Sequence, residues 1–482
     1  MNRLKNPALF RQQCYINGQW MDANKRKTFT VKNPFDQQVL GTVPDCGVEE
    51  AQIAILAANE AWKTWRVLTA KQRADYLWQW HALIAKNKED LATIMTLEQG
   101  KPINESRGEI DYANAFIRWF AEEARRVYGD IIPSNIPGQH LLVIKQAIGV
   151  AACITPWNFP AAMITRKCAP ALAAGCPIII KPAEDTPYTA LALAVLAEEA
   201  GIPKGVLNII TGNPEKIGGE FTKNPLVRKL SFTGSTKVGK LLMQQSATTV
   251  KKLSLELGGN APFIVFDDAD INAAISGLIA CKFRNTGQTC VCANRIYVQA
   301  KIYDEFSKKL VAAVKDLQVG NGLDEKTQQG PLINHDAIEK VKRHVADALA
   351  KGANLLCGGK PIGKNTLFFE PTVLTNVNNK MLLSHEEIFG PVAALFRFET
   401  EEEAITMANA TEYGLAAYFY TQNMQRTWRV SEALECGIIA INSGIFSTEV
   451  APFGGFKESG IGREGSKYGI EEYLEIKYLC MA

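Results

Sequence analysis

The 482-residue sequence lacks any apolar run close to the roughly eighteen residues that a membrane-spanning helix needs. Its first residues, MNRLKNPALFRQQCYING, also lack an apolar segment of the length typical of signal peptides. We therefore expect no membrane association and a cytoplasmic location.

An excess of charge of one sign is also lacking. The 53 Lys and Arg residues nearly balance the 50 Asp and Glu residues, which leaves a net charge of +3. Short charged stretches such as KNKED and ETEEE are typical of solvated helix starts rather than of binding tails. Nucleic acid is therefore not an expected partner.

Histidine is scarce, and cysteine is not spaced as a set of metal ligands. The five histidines form no close pair, and no two cysteines have the CxxC spacing of common zinc sites. The eleven cysteines are odd in number and spread over a long chain, which argues against a disulfide framework. We expect no metal, so Cys290 and Cys292 in FRNTGQTCVCANR need another explanation.

Two series of β-rich runs, each alternating with helical patterns, fill most of the chain. The first begins at Gly149 and the second near Ala261, and they meet around LSLELGGN. This order of strand, crossover and strand predicts an α/β protein with two parallel sheets, each covered by helices on both faces. The stretch LLVIKQAIG fits neither series. It predicts either an arm strand that reaches a partner subunit or an edge strand of the same domain.

Open α/β sheets bind ligands beyond the carboxyl ends of their strands. Three predicted strand ends carry informative residues: Asn158 in TPWNFP, Lys181 and Glu184 in KPAE, and Gly234 and Ser235 in FTGS. Backbone N–H groups in the stretch GSTKVG could face a phosphate. A plain strand-to-helix turn also explains that stretch, because it is not the GxGxxG fingerprint.

Glu256 and Cys290 are candidates for the chemistry itself. In LSLELGGN, strand alternation puts Glu256 on the face opposite Leu255 and Leu257, just before two glycines. An exposed edge carboxylate would show the same pattern. Cys290 follows small polar residues and the flexible Gly287, a setting in which a thiol can ionise and react. An inert core cysteine is the alternative.

Seven motifs carry a resemblance over almost the whole chain: TPWNFP, KPAEDTP, FTGS, LELGGN, GQTC, EEIFGP and PFGGFKESG. They occur in the order and approximate spacing of the aldehyde dehydrogenase superfamily, which this sequence resembles. The resemblance implies two doubly wound, Rossmann-like α/β domains and a β-strand oligomerisation arm. The cofactor domain would cover residues 1–127 and 150–256, the catalytic domain 257–448, and the arm 128–149 and 449–482.

The resemblance also implies roles for single residues. Cys290 would attack the aldehyde, Asn158 and the Cys290 N–H would hold the oxyanion, and Glu256 would activate water against the thioester. Lys181 and Glu184 would hold the adenosine ribose. The implied cofactor contacts are Thr155, Pro156, Trp157, Lys181, Pro182, Ala183, Glu184, Gly234, Ser235, Leu257, Glu387 and Phe389, of which Trp157 and Leu257 could instead only pack.

Cofactor preference depends on Glu184. Its carboxylate can accept hydrogen bonds from a ribose 2′-hydroxyl and would repel a 2′-phosphate, which favours NAD. Relatives with Ser at this position often favour NADP, and Lys181 nearby could still tolerate the phosphate. We therefore expect NAD as the preferred cofactor, with NADP possible.

A narrower resemblance concerns the substrate. The stretches AMITRKCAPALAAG, FRNTGQTCVCANR and the tail from APFGGFKESG look like the succinate-semialdehyde dehydrogenases. Arg166 and Arg284 would clamp the carboxylate of a small carboxylated aldehyde, with Ser447 as a third donor. Each arginine could instead form a structural ion pair. Glutarate semialdehyde is longer by one methylene, a difference that the sequence does not resolve.

Three further expectations follow from the resemblance. Cys292 would cap Cys290 as a strained, reversible disulfide, or it is simply a small buried residue. The arm would make the protein a homodimer or homotetramer. A coenzyme A-dependent acyl transferase is disfavoured because Glu256 supplies the base that hydrolysis needs, and a binding or structural protein is disfavoured by the intact Cys290, Glu256 and Asn158 set.

Overall fold

The computed structural model describes residues 3–482. The strands of the described chain are β1 (Cys14–Ile16), β2 (Gln19–Met21), β3 (Thr28–Lys32), β4 (Val39–Pro44), β5 (Asp130–Ile132), β6 (His140–Ala147), β7 (Val150–Ile154), β8 (Ile178–Lys181), β9 (Leu207–Ile209), β10 (Val227–Thr233), β11 (Lys252–Glu256), β12 (Ala261–Val265), β13 (Ala293–Gln299), β14 (Asn354–Cys357), β15 (Thr372–Thr375), β16 (Val392–Phe398), β17 (Tyr413–Gly414), β18 (Ala416–Tyr420), β19 (Ile438–Ile441), β20 (Phe456–Lys457), β21 (Gly460–Ile461) and β22 (Leu474–Met481). The α-helices are α1 (Val48–Trp65), α2 (Ala70–Lys86), α3 (Lys88–Gln99), α4 (Ile103–Glu123), α5 (Ala162–Ala174), α6 (Pro187–Glu199), α7 (Pro214–Lys223), α8 (Thr236–Ser246), α9 (Ile271–Lys282), α10 (Tyr303–Lys315), α11 (His335–Ala350), α12 (Glu401–Asn409), α13 (Met424–Ala433) and α14 (Ser466–Glu471).

The first large sheet has the strand order β2-β1-β9-β8-β7-β10-β11-β21. Its five central strands, from β9 to β11, are parallel. Alternate side chains of β8 enter different cores, because Ile178 and Ile180 pack with α5 and α6 whereas Ile179 packs with α1 and α7. This burial on both faces explains the continuous apolar run of β8. Strands β8 and β9 follow on one side of β7, and β10 and β11 follow on its other side. An open α/β sheet binds ligands at the point where the strand order reverses in this way, here between β7 and β10.

The second large sheet has the order β14-β15-β16-β13-β12-β18-β19, and all of its strands except β14 are parallel. Strand β13 alternates in the same way, since Ile296 and Val298 face α9 and α10 while Tyr297 faces α11 and α12. Both sheets are therefore doubly wound, as predicted. Residues 257–260 connect them, in the LELGGN stretch where the two series were expected to meet.

A third sheet, β22-β6-β5, is antiparallel, and eight residue pairs join β22 to β6. It leaves Ile131 84% exposed and Ile476 71% exposed. The C-terminal segment contributes elsewhere too, because β20 pairs with β17 and β21 pairs with β11 of the first sheet. The domain limits and the oligomerisation role of residues 128–149 and 449–482 stay predictions. None of the helices within residues 3–482 has the length and apolar character needed to span a bilayer.

Candidate active site

A cleft opens where β7 and β10 end, and it receives residues from both large sheets. Its cavity has a volume of about 330 Å³. Nine of the predicted site residues line it: Pro156, Trp157, Asn158, Gly234, Ser235, Leu257, Cys290, Glu387 and Phe389. The tertiary structure therefore brings together side chains that lie up to 233 positions apart in the sequence (389 − 156 = 233).

Cys290 is half-buried at the end of a tight loop, residues 284–290, which we call the cysteine loop. Within it Asn285, Thr286 and Gly287 all have positive φ, at 49°, 57° and 77°. A Cβ on Gly287 would lie 2.2 Å from the carbonyl oxygen of Gly390, so only glycine fits there. Burial, together with the negative charge of Glu387, raises the pKa of the Cys290 thiol to about 12. The thiol is therefore protonated at neutral pH until a base removes its proton.

Asn158 lies in the loop after β7, residues 155–161, which we call the amide loop. The side chain is buried, and its Nδ2 donates to the carbonyl oxygen of Gln288 at 3.1 Å. The backbone oxygen of Asn158 accepts from Lys101 Nζ at 2.7 Å and from Asn285 Nδ2 at 3.0 Å. These contacts hold the amide next to the cysteine loop.

Glu256 ends β11 beside Thr233, its partner on β10. It is buried and does not line the 330 Å³ cavity, although Thr233 and Leu257 do. Burial raises the pKa of the Glu256 carboxyl well above its usual value, and the negative charge of Glu464 adds to that rise. Its Oε2 has no hydrogen-bond partner in the described chain, so one oxygen is free for water or substrate.

The aromatic rings of Trp157 and Phe389 meet edge to face, with centroids 5.5 Å apart. Across the cleft, Ser235 accepts a hydrogen bond from Val238 N at 3.4 Å and so begins α8. The N–H of Gly234 donates to the Glu256 carbonyl at 3.0 Å and is already in use. The free N–H groups at this point are those that α8 itself leaves without intrahelical partners.

Lys181 and Glu184 lie outside the 330 Å³ cavity. Glu184 lines an adjacent cavity of about 190 Å³, and Ile333 and Asn334 line both cavities. The buried Lys181 ammonium forms an ion pair with Glu184 and donates to the Pro182 carbonyl at 3.0 Å. Thr155 and Ala183 are buried next to them. The two cavities are thus adjacent, with Cys290 lining one and the Glu184 carboxylate lining the other.

The three residues expected to bind the substrate differ in their surroundings. Arg166 is 1% exposed, its Nε lies 2.6 Å from Glu464 Oε2, and its guanidinium packs on the ring of Phe453. This is the ion pair that the sequence left open as an alternative. Arg284 is half-buried 5.3 Å from the Phe159 ring, and no described carboxylate lies within 4.0 Å of it. Ser447 is half-buried in the loop between β19 and β20.

The sequence model of the Aldehyde dehydrogenase family matches residues 20–479 of the chain. The chain belongs to the aldehyde dehydrogenase family. It is 60% identical over 480 residues to the glutarate-semialdehyde dehydrogenase of Pseudomonas putida, and the alignment covers 100% of each chain. It is 58% identical to succinate-semialdehyde dehydrogenase [NADP(+)] GabD of Escherichia coli, and the alignment covers 99% of each chain.

A solved structure supports the same assignment. The crystal structure of succinate-semialdehyde dehydrogenase from Burkholderia pseudomallei superposes with a TM-score of 0.99 at 59% identity and covers 100% of both chains. The protein is thus an NAD(P)-dependent aldehyde dehydrogenase, and its α/β fold is the fold of that family.

The sequence did not indicate several residues of this aldehyde dehydrogenase cleft. The additional cavity-lining residues are Met163, Thr233, Gly258, Ile333, Asn334, Asp336, Ala337 and Lys340. Five of them lie in or just before the first two turns of α11, where Asn334 accepts from Ala337 N at 3.1 Å and caps the helix. An Asn before an apolar-periodic segment is a helix-start signal. That signal locates the helix in the sequence, but only the tertiary structure shows that it faces the loops that follow β7 and β10.

Cys292 is buried, and its Sγ lies near two carbonyl oxygens, that of Lys282 at 3.5 Å and that of Ala293 at 3.6 Å. Its pairing with Cys290 stays a prediction. Within the part of the chain that the structure describes, no group of three or more His, Cys, Asp or Glu side chains is arranged to hold a metal ion.

Proposed function

We propose that this aldehyde dehydrogenase oxidises succinate semialdehyde to succinate, with glutarate semialdehyde as the alternative substrate. The observation that carries the proposal is Arg284, a half-buried cation without a described carboxylate partner, in the loop that ends at Cys290. A guanidinium without a carboxylate partner can bind a substrate carboxylate through two parallel hydrogen bonds. The named substrates of the two relatives, both semialdehydes of dicarboxylic acids, support this proposal.

In the proposed reaction, Cys290 Sγ releases its proton to solvent, and the resulting thiolate attacks the aldehyde carbon. The negative charge that develops on the carbonyl oxygen is stabilised by an Asn158 Nδ2–H and the Cys290 N–H. When bound, the cofactor supplies the hydride acceptor. Glu256 then takes a proton from the water that attacks the thioester carbon, the C–S bond breaks, and the acid leaves with Cys290 restored. The net reaction consumes one water and releases the acid, the reduced cofactor and a proton.

The residues of the two adjacent cavities fit a dinucleotide. Glu387 is a half-buried carboxylate that can accept from the hydroxyls of one ribose, and the N–H groups at the start of α8 suit phosphate oxygens. In the second cavity, Glu184 can accept from the adenosine ribose, which supports NAD as the preferred cofactor. The Lys181 ammonium is already paired with Glu184, so a 2′-phosphate would have to compete with that carboxylate. The ratio of turnover with NAD to that with NADP tests this preference.

The proposed substrate is tested by following absorbance at 340 nm with succinate semialdehyde, glutarate semialdehyde and an uncharged aliphatic aldehyde of similar length. Arg284→Met should raise KM for the semialdehydes about 10- to 100-fold, since a hydrogen bond to a charged group contributes roughly 1.5–3 kcal/mol. The uncharged aldehyde should be little affected. Arg429→Met, at an exposed arginine paired with Glu401, is the matched control.

A wild-type enzyme that prefers the uncharged aldehyde would refute the proposed substrate class. Equal losses for charged and uncharged aldehydes in Arg284→Met would also count against the clamp. We further propose, from the same family membership, that the protein acts in the cytoplasm as a homodimer or homotetramer.

A further inference from the structure

Helix α4 carries two carboxylates, Glu105 and Glu109, that no step of the proposed reaction uses. They are four residues apart and so lie on one face of the helix. Glu109 is buried and Glu105 is half-buried. Each accepts a backbone hydrogen bond from a different loop of the active site.

Glu109 holds the amide loop from two directions. Its Oε1 accepts from Ala161 N at 2.9 Å and from Ala162 N at 3.2 Å, at the point where α5 begins. Its Oε2 pairs with Lys101 Nζ at 2.5 Å, and the same ammonium donates to the Asn158 carbonyl at 2.7 Å. The buried ion pair therefore fixes the backbone on both sides of the amide loop's turn.

Glu105 holds the cysteine loop. Its Oε2 accepts from Asn285 N at 2.7 Å. This bond is made at the first of three consecutive residues with positive φ, a conformation that is unfavourable for Asn285 and more so for the β-branched Thr286. The hydrogen bond from α4 thus supports a strained turn five residues before the reacting thiol.

The two loops are also bonded to each other. Asn158 Nδ2 donates to the Gln288 carbonyl, and Asn285 Nδ2 donates to the Asn158 carbonyl. These contacts alone would let the loops move together as a pair. Because Glu105 and Glu109 also attach both loops to α4, the position of each loop is fixed relative to that helix.

We propose that Glu105 and Glu109, the latter with Lys101, are positioning residues that set the separation between the Cys290 thiol and the Asn158 amide. This inference rests on the proposed roles of Cys290 and Asn158. Neither carboxylate touches the substrate. Glu105 acts through the cysteine loop, and Glu109 acts through the amide loop.

The acceptor oxygen of Glu105, rather than its charge, is what the geometry requires. Burial raises the pKa of the Glu105 carboxyl to about 7, and Lys101 and Arg284 oppose that rise. Glu105→Gln keeps an acceptor for Asn285 N and removes only the charge. Glu105→Met has a similar volume and removes the acceptor. The two variants therefore separate positioning from electrostatics.

Two measurements compare these variants: steady-state kinetics, and the rate at which iodoacetamide alkylates Cys290 in the absence of substrate. Glu105→Met should lower kcat about 10- to 100-fold, the loss expected when reacting groups are misplaced by about 1 Å. Its KM for the cofactor should stay unchanged, and its alkylation rate should differ from that of the parent. Glu105→Gln should match the parent in kcat and in alkylation rate. Asp111→Asn, at an exposed carboxylate of α4 paired with Lys88, is the matched control.

Equal losses in Glu105→Gln and Glu105→Met would overturn the proposal, because charge would then explain the effect. Parent-like kcat and alkylation in Glu105→Met would also overturn it. If the wild type oxidises neither semialdehyde, the proposed function fails, while the alkylation comparison still tests the positioning role.

A second variant keeps the test available if Glu105→Met does not fold. The double variant Lys101→Met/Glu109→Met replaces the buried ion pair with apolar side chains and leaves no lone buried charge. It should lower kcat with the KM for the cofactor unchanged, because the amide loop loses its bonds to α4. Its alkylation rate should stay close to that of the parent, because Glu105 still holds the cysteine loop. An unchanged kcat in a folded double variant would overturn the role of Glu109.

Discussion

In the proposed reaction Cys290 and Glu256 both act in their deprotonated forms, and burial raises the pKa of each. For the thiol, the second cause is the nearby negative charge of Glu387. The reactive thiolate is therefore a minor form at neutral pH, and its fraction increases as the pH rises. Activity limited by this step should rise with pH above neutrality.

Glu387→Gln tests whether the negative charge of Glu387 raises the pKa of the Cys290 thiol. Removing a negative charge near Cys290 favours the thiolate, so the pH dependence of Cys290 alkylation by iodoacetamide should shift to lower pH, by roughly half a unit. Glu386→Gln changes the neighbouring carboxylate, which pairs with Arg343 and His344. It should leave the pH dependence of Cys290 alkylation unchanged. A shift to higher pH in Glu387→Gln would contradict this account.

Glu256→Gln separates the two halves of the reaction. The amide is isosteric, and one Glu256 oxygen has no partner to lose, so the variant should fold. The amide cannot take a proton from water, so steady-state turnover should drop about 10²- to 10⁴-fold. A rapid-mixing experiment should still show a burst of reduced cofactor equal to the enzyme concentration. Absence of the burst would mean that Glu256 acts before the thioester forms.

At the scale of single elements, one glycine in the cysteine loop and one in α4 differ in whether an alanine would fit in their place. Gly287 has φ of +77° and no room for a Cβ, whereas Gly108 lies on the open side of α4 with no atom within 4 Å of an added Cβ. The first glycine is required by the cysteine loop. The second glycine makes no contact that requires it, and it gives the unfolded chain more backbone freedom than an alanine would.

Gly287→Ala should therefore destabilise the protein and abolish activity, because the Gly390 carbonyl would have to move away from the cysteine loop. Gly108→Ala should stabilise it by about 1 kcal/mol, the usual difference between alanine and glycine inside a helix. Urea unfolding monitored by circular dichroism measures both changes. Stabilisation by Gly287→Ala would disprove the described loop geometry.

The whole molecule presents an apolar surface on the sheet β22-β6-β5. Ile131 is 84% exposed there, and the outer strands β5 and β22 each have one edge unpaired within the described chain. Edge strands with exposed apolar side chains are sites of association with another chain. This arrangement supports the predicted oligomerisation arm.

Ile131→Lys should therefore dissociate the assembly into smaller species, since burying an unpaired charge in an apolar interface is unfavourable. Light scattering after size-exclusion chromatography measures the mass. Val39→Lys, at a residue that is 60% exposed on β4, serves as the control and should leave the mass unchanged. A monomeric parent protein would refute the oligomerisation role altogether.

Much of the fold and part of the site could be predicted from local patterns. Apolar runs such as that of β8, with polar residues directly after them, indicate buried parallel strands and the edge at which ligands bind. These patterns located Asn158, Gly234 and Glu256 at strand ends, where the structure has them. The pairing of Arg166 with Glu464 was not predictable, because the two residues are 298 positions apart and each alone is an ordinary charged residue.

The sequence by itself determined which strands are buried on both faces, where they end, and which polar or reactive residue follows each end, because side-chain periodicity and turn chemistry are local. Only the tertiary structure decided which of those ends share a cleft, which arginine is already paired, and which carboxylates of α4 hold the reactive loops. Those features depend on contacts between distant segments. Their distances and charges are set by the packing of whole helices and sheets, which no local pattern records.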